Sequence, residues 1–161
     1  MEAVNFIDYL QLAPHPEGGF FKETYRAAES IPAVALPKRF GGERNFSTCI
    51  YYLLQHGERS VFHSIKSDEC WHFYAGETLL IHVIDNGGEY ECIRLGADIA
   101  KGETFQFVIP AAAWFAAEPS ANSRFALAGC TVAPGFDFTD FEIARKENLL
   151  SSFPQHNHVI N

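Results

Sequence analysis

From residue 20 onward the chain is a succession of short runs rich in Val, Ile, Phe, Tyr and Thr. Each run is closed by glycine, proline or a polar turn, and few fold classes accept that rhythm. The runs fall at 20–25, 48–54, 60–65, 69–75, 78–84, 89–95, 104–109, 112–117 and 125–132. Evenly spaced short strands predict a sandwich or jelly roll and argue against alternating strands and helices. The two ends read differently. Val4, Ile7 and Leu10 lie three apart with Phe6 one turn from Leu10, which predicts a short amphipathic helix over 3–12, halted by Pro14 and Pro16. The segment from Asp140 to Ser152 reads as a closing helix that offers Ile143, Leu149 and Leu150 for docking, with Pro154 limiting its extension. Residues 28–45, with Pro32, Pro37, Gly41 and Gly42, read as a long loop that could lie over the mouth of a barrel. There is no internal repeat and no linker, so residues 1–161 are expected to form one domain.

Composition narrows the function classes. The 161 residues are 47% apolar and 20% charged, which is enough to bury a substantial core. Fifteen phenylalanines suit a space between two sheets. A net charge of −8 without any Lys/Arg run would repel a nucleic-acid backbone, so no nucleic-acid partner is expected. No stretch approaches the roughly 18 apolar residues of a membrane helix. The start Met1-Glu2-Ala3 lacks the basic segment of a secretion signal, so a cytoplasmic protein is expected. Cys49, Cys70, Cys92 and Cys130 are scattered in apolar contexts and are expected to be buried free thiols.

One spacing carries chemistry: Gly57-x5-His63-x-Ile65-x3-Glu69-x6-Gly76. It resembles the first cupin motif, Gly-x5-His-x-His-x3-4-Glu-x6-Gly, with Ile65 in place of the second histidine. Further on, Gly102-x7-Pro110-x-Ala112-x2-Phe115 resembles the second cupin motif, with Ala112 for its glycine and Phe115 for its histidine. The run His15-Pro16-Glu17-Gly18-Gly19, the stretch from Ser67 to Gly76, and Asn148-Leu149-Leu150 before Phe153-Pro154 resemble the cupin 5 branch, formerly a domain of unknown function. The resemblance implies an all-β double-stranded β-helix, the cupin jelly roll, with short N- and C-terminal helices. It also implies barrels similar to those of sugar-nucleotide epimerase cupins, in which the N-terminal strand crosses to a partner subunit. A paired role for residues 20–26 follows from that resemblance, and a homodimer is expected because cupins of this size commonly pair through their sheets and an exposed edge needs covering. Metal-dependent cupins hold an ion with the motif histidines and glutamate. Here two of those four positions are apolar, so no metal and no cofactor is expected.

Strand alternation turns the motif into a pocket. Val61, His63 and Ile65 share one face, as do Glu69, Trp71, Phe73 and Ala75, while Cys70, His72 and Tyr74 take the other. A two-residue turn at Gly76-Glu77 would pair Phe73 with Leu80 and Trp71 with His82, bringing His82 to the inner wall. A bulge would rotate His82 out and could bring His72 in. Ala113, Phe115 and Ala117 face inward and Trp114 outward, and Tyr51 or Tyr52 could add a phenol. His63 and Glu69 are therefore the candidate catalytic pair, with His63 as general base and Glu69 orienting it. Trp71, Phe73, His82 and Phe115 are the candidate ligand-binding residues. For His63 the bland alternative is a satisfied core histidine, and for Trp71, Phe73 and Phe115 it is packing. The leading expectation is a metal-independent cupin that binds or isomerises a small polar metabolite such as a sugar or sugar nucleotide. A non-catalytic binder is the second reading. A metal-dependent oxygenase or isomerase using His63, Glu69 and His82 is the third.

Overall fold

The computed structural model describes residues 2–160. Helix α1 (Ala3–Leu10) opens the chain, and thirteen strands follow among the described residues. In chain order they are β1 (Ala13–Pro14), β2 (Phe20–Arg26), β3 (Ser30–Ile31), β4 (Arg44–Asn45), β5 (Thr48–Gln55), β6 (His63–Ser64) and β7 (Asp68–Gly76), then β8 (Leu79–Ile84), β9 (Tyr90–Leu95), β10 (Gln106–Ile109), β11 (Trp114–Pro119), β12 (Phe125–Ala133) and β13 (Glu142–Ile143). Helices α2 (Lys146–Ser152) and α3 (Asn157–Ile160) follow. The larger sheet has the order β1-β2-β5-β12-β7-β10, the smaller β13-β6-β11-β8-β9, and β3-β4 form a separate ribbon. The fold is an all-β jelly roll with short terminal helices.

Alternation explains which side chains meet between the sheets. Leu79, Ile81 and Val83 of β8 point inward, as do Trp71 of β7, Tyr52 and Leu54 of β5, and Phe115 of β11. Tyr52 and Phe115 each meet the Trp71 ring edge-on, at 5.7 and 6.3 Å. Removing each such side chain from water contributes about 1.5–3 kcal/mol. Strand β12 is buried on both faces, because Ala126, Ala128 and Cys130 enter this core while Phe125 and Leu127 meet α1. That helix docks with Ala3, Phe6, Ile7 and Leu10, whereas Val4, expected in the same stripe, is exposed. Gln11, left-handed at φ 56°, ends the helix three residues ahead of the first proline, and Lys22 Nζ donates to the Leu10 carbonyl at 3.0 Å.

The outer face of the smaller sheet is covered by the C-terminal segment, where Phe62, Ile84, Ala116, Leu149, Val159 and Ile160 pack together with Trp114. The closing helix is shorter than 140–152. Glu142 and Ile143 pair with Ser64 and His63, and the Ala144 amide donates to the Phe62 carbonyl at 2.8 Å, so helix begins only at Lys146. Strand 60–65 shrinks to His63–Ser64 because the preceding amides leave the ladder: Ser60 donates to Ala117 and Val61 to Glu17.

The expected hairpin at Gly76-Glu77 does not form. β7 pairs with β10 and β12, whereas β8 pairs with β9 and β11, so the chain crosses between sheets there. Gly76 takes φ +93°, and an added Cβ would sit 2.3 Å from the Phe125 carbonyl oxygen. The Glu77 amide then donates to that carbonyl, and the Glu77 carboxylate accepts from the Arg124 amide and guanidinium. The register also shifts between Leu127 and Ala128, across from Tyr74. Ala75 therefore turns out to the α1 side instead of sharing the inner face with Phe73.

All four cysteines are free, but only Cys130 is buried; Cys49 and Cys70 are half-buried and Cys92 is exposed. Among the described residues, no helix is long and apolar enough to cross a membrane.

Candidate functional site

The sequence His15-Pro16-Glu17-Gly18-Gly19 folds as a tight turn. The His15 amide donates to Gly19 and the Gly18 amide to His15. Gly18 and Gly19 both occupy left-handed backbone, at φ +109° and +71°, and a Cβ on Gly19 would meet the Leu53 carbonyl at 2.6 Å. The Tyr52 hydroxyl fixes the turn by donating to the Gly18 carbonyl at 2.8 Å. The result is that Glu17, only 7% exposed, is driven between the sheets toward His63.

His63 lies on β6 with 4% exposure, its ring 4.0 Å from that of Phe115 and 5.3 Å from that of Phe141. Its Nδ1 is 2.8 Å from the Val61 carbonyl oxygen and 3.0 Å from Glu17 Oε2. Both neighbours only accept, so Nδ1 carries the proton. One N–H cannot align with both. Val61 takes the hydrogen bond, and Glu17 Oε2 keeps an ion-pair contact but no aligned donor. Burial opposes an imidazolium here, yet the Glu17 carboxylate outweighs it and holds the His63 pKa above its ordinary value.

Glu69 of β7 enters the same recess, 7% exposed. Burial, only partly offset by His63, pushes its carboxyl up to about 7. The Cys130 thiol, itself held protonated by burial and by this carboxylate, can donate to it. The Trp71 indole N–H leans toward the same group without reaching hydrogen-bond geometry. His15 completes the floor. Its Nδ1 accepts from the Glu17 amide at 3.3 Å, and burial lowers its pKa, so this imidazole is neutral.

Together these groups face a recess of about 80 Å³, walled by Phe21, Ile50 and Ile65 and rimmed by Phe136, Phe138 and Phe141. Arg26 and Glu23 stand at the mouth as an ion pair at 2.7 Å. Larger grooves exist, such as one of about 400 Å³ beside Trp114 and α2, but none of Glu17, His63 and Glu69 lines it.

His63 and Glu69 share the recess, as the motif spacing implies. His63's direct partner, however, is Glu17 and not Glu69, because the glycine turn delivers Glu17 to within 3.0 Å of Nδ1. Trp71 and Phe115 sit behind these groups in the core, at 2% and 0% exposure, and Phe73 packs against that core; none of the three lines the recess. His82 points the other way. On β8 it alternates with the inward Ile81 and Val83, so it meets Tyr90 Oη at 2.9 Å and Glu118 Oε1 at 3.0 Å beneath the C-terminal segment. His72 is no substitute, since it binds Thr131 and Gln106 on the outer face of the larger sheet. The phenol nearest the site is Tyr52, whereas Tyr51 meets Tyr74 edge-on on the outer face.

These positions do not fit a metal centre. Ile65 and Phe115 occupy two motif positions, His82 lies on the wrong face, and among the described residues no group of three His, Cys, Asp or Glu side chains could hold an ion. The ligand set His63, Glu69 and His82 is therefore not assembled. Glu17 and His15 are the residues that sequence reasoning passed over. The available signal was a lone carboxylate followed by two consecutive glycines, in a run that carried the family resemblance and no site assignment.

The family profile Cupin_5, described as Cupin superfamily (DUF985), matches residues 4–144. The chain belongs to the Cupin_5 family. It is similar to the uncharacterized protein YML079W of Saccharomyces cerevisiae, 30% identical over 159 residues, 87% of this chain and 74% of that protein. Among solved structures, protein SO0799 from Shewanella oneidensis is 39% identical with a TM-score of 0.88, over 99% of this chain and 95% of the other. A hypothetical protein from Leishmania major is 34% identical with a TM-score of 0.89, over 99% and 97%. Oxalate decarboxylase from Bacillus subtilis shares 14% identity and a TM-score of 0.57 over 92% of this chain and 36% of that one, which is a likeness of fold alone.

Within this Cupin_5 chain the Glu17–His63 contact is directly testable. Glu17→Gln keeps the side-chain shape and removes the charge, leaving burial as the largest influence on the imidazole. The His63 titration, followed by NMR of its ring protons, should move downward. An unmoved titration would mean that Glu17 does not set the charge state of His63.

Proposed function

We propose that the recess binds a small polar metabolite and performs proton transfer on it without a metal. One observation carries the reading: an imidazole backed by a buried carboxylate faces a second buried carboxyl across a small apolar-walled cavity. The shifts support it, since Glu17 raises the His63 pKa above its ordinary value against the effect of burial and Glu69 is pushed up to about 7. This reverses the roles expected from the motif. Glu69, once ionised, removes a proton from the carbon beside a carbonyl, and the His63 imidazolium donates one to the carbonyl oxygen. Glu69 then returns its proton to the former carbonyl carbon of the enediol while the other hydroxyl gives its proton to neutral His63, which yields the isomer and restores both groups. Glu17 positions His63 and stabilises its charge.

The volume narrows the substrate. About 80 Å³ holds roughly six water-sized groups. Sites for larger ligands run to about 300–1,000 Å³. A short hydroxy-carbonyl compound fits this recess better than a sugar nucleotide.

The test is solvent exchange. Glycolaldehyde, dihydroxyacetone and glyceraldehyde incubated with the protein in D2O should gain deuterium beside the carbonyl, read by NMR. Glu69→Gln and His63→Ala should each slow this by about 10²–10⁴-fold. Exchange that His63→Ala leaves unchanged removes the acid from the scheme, and binding without exchange turns the reading into a non-catalytic binder.

Assembly as a homodimer is proposed through the outer face of the larger sheet. Tyr25, Tyr74 and Val108 are exposed there, beyond the end that α1 covers. Sedimentation velocity should show a two-chain species that Val108→Lys splits; a single-chain species in the unmodified protein refutes it.

A further inference from the structure

The geometry points to a ligand bearing an ammonium group, seated between the Glu17 oxygen that lacks an aligned hydrogen bond and the aromatic rim. This rests on the recess being the ligand site, as proposed above. Three observations favour a donor over an anion. First, the interior has more acceptors than donors. Glu17 and Glu69 bring four carboxylate oxygens, and His15 Nδ1 accepts as well. By contrast, His63 Nδ1–H is taken by Val61, and the Trp71 indole N–H and Cys130 thiol are aimed at Glu69, which leaves the second N–H of a protonated His63 as the remaining donor. Second, Glu17 Oε2 is buried and has no aligned hydrogen bond, its ion-pair contact with His63 Nδ1 at 3.0 Å being off-axis, so it can still accept from a donor on a ligand. Third, the nearby guanidiniums are already engaged. Arg26 binds Glu23, the Asn45 side chain and the Phe136 carbonyl, and Arg44 binds Asp140, Thr139 and the Glu43 carbonyl.

The walls suit a cation as well. Phe21, Phe136, Phe138 and Phe141 line the recess, and aromatic faces attract ammonium groups. With Glu69 ionised, the facing groups Glu17, Glu23, Glu69, His63 and Arg26 sum to one net negative charge, which an ammonium neutralises and a carboxylate doubles.

Three probes of one size separate the possibilities: ethanolamine, ethylene glycol and glycolate, with charges of +1, 0 and −1. The chain holds two tryptophans, so its NMR spectrum carries two indole N–H signals. Trp71 stands beside Glu69, and Trp114 packs beneath the C-terminal segment as an internal control. Ethanolamine should shift the Trp71 signal and not that of Trp114, with affinity at least about tenfold above glycolate. Glu17→Gln should erase that preference, and because the ranking is also read in the unmodified protein, a poorly folding variant does not blunt the test. Glycolate binding tightest would overturn the ammonium inference while leaving the recess as the site. No probe moving Trp71 would overturn both.

Discussion

Glu69→Gln should leave stability nearly unchanged at pH 4.5 and raise it by about 3 kcal/mol well above pH 7. The folded chain pushes the Glu69 carboxyl from 4.5 up to about 7, chiefly by burial. Between those values the folded protein holds a proton that the unfolded chain has released. Unfolding then releases that proton, so rising pH favours unfolding, and above pH 7 the folded state carries the full cost of a buried charge. Glutamine mimics the neutral acid and never ionises. His63 acts in the same direction in both proteins: its raised pKa contributes stability below 6.5 that is lost as pH rises through the folded value. His15 and His82, both lowered by burial, oppose this, contributing stability that is lost as pH falls below 6.5. The decisive quantity is therefore the difference between wild type and variant, from urea unfolding across roughly pH 4.5 to 8.5. A difference that does not change with pH would show that Glu69 is an ordinary carboxylate, and the proton-transfer scheme would lose its base.

Arg44→Met is expected to cost about 3–5 kcal/mol. Arg44 and Asp140 are 6% and 5% exposed and meet in a two-pronged contact, Nε to Oδ2 at 2.6 Å and Nη2 to Oδ1 at 2.7 Å. Without the guanidinium, Asp140 keeps only Lys66, 3.3 Å away and more than a third exposed. The loss comes from stranding a buried charge, so Arg44→Met with Asp140→Leu should recover much of it. An equal loss in single and double variants would place the cost elsewhere. By contrast, Arg26→Met should cost about 0–1 kcal/mol, because its ion pair with Glu23 is solvated. The Arg44 effect extends to the recess. Asp140 directly precedes Phe141, whose ring touches that of His63, so the single variant should also loosen the rim.

The legible and hidden parts of this protein divide along a physical line. Inward positions of regular strands, such as Glu69, Trp71, Ala113, Phe115 and Ala117, follow from period-two alternation and were readable from the residues. His82 was misplaced because alternation gives faces only within a strand; which sheet a strand joins depends on long-range pairing. Nothing local distinguishes a tight turn at Gly76-Glu77 from a crossing, and the Arg124 that anchors Glu77 lies 47 residues away. Ala75 was lost to a one-residue bulge, which reverses every face beyond it. Glu17 was hidden for a different reason. Its position depends on two glycines in left-handed backbone, and the residues it reaches belong to strands far down the chain.

Glu17 sits on a bend outside the hydrogen-bonded ladders, and this separates scaffold from tuning. The sandwich draws its cohesion from Trp71, Tyr52, Phe115 and their neighbours, while the proton affinity of the imidazole answers to one residue on a short connector. Changes confined to that connector can reset the reactivity of the cavity and leave the architecture around it intact.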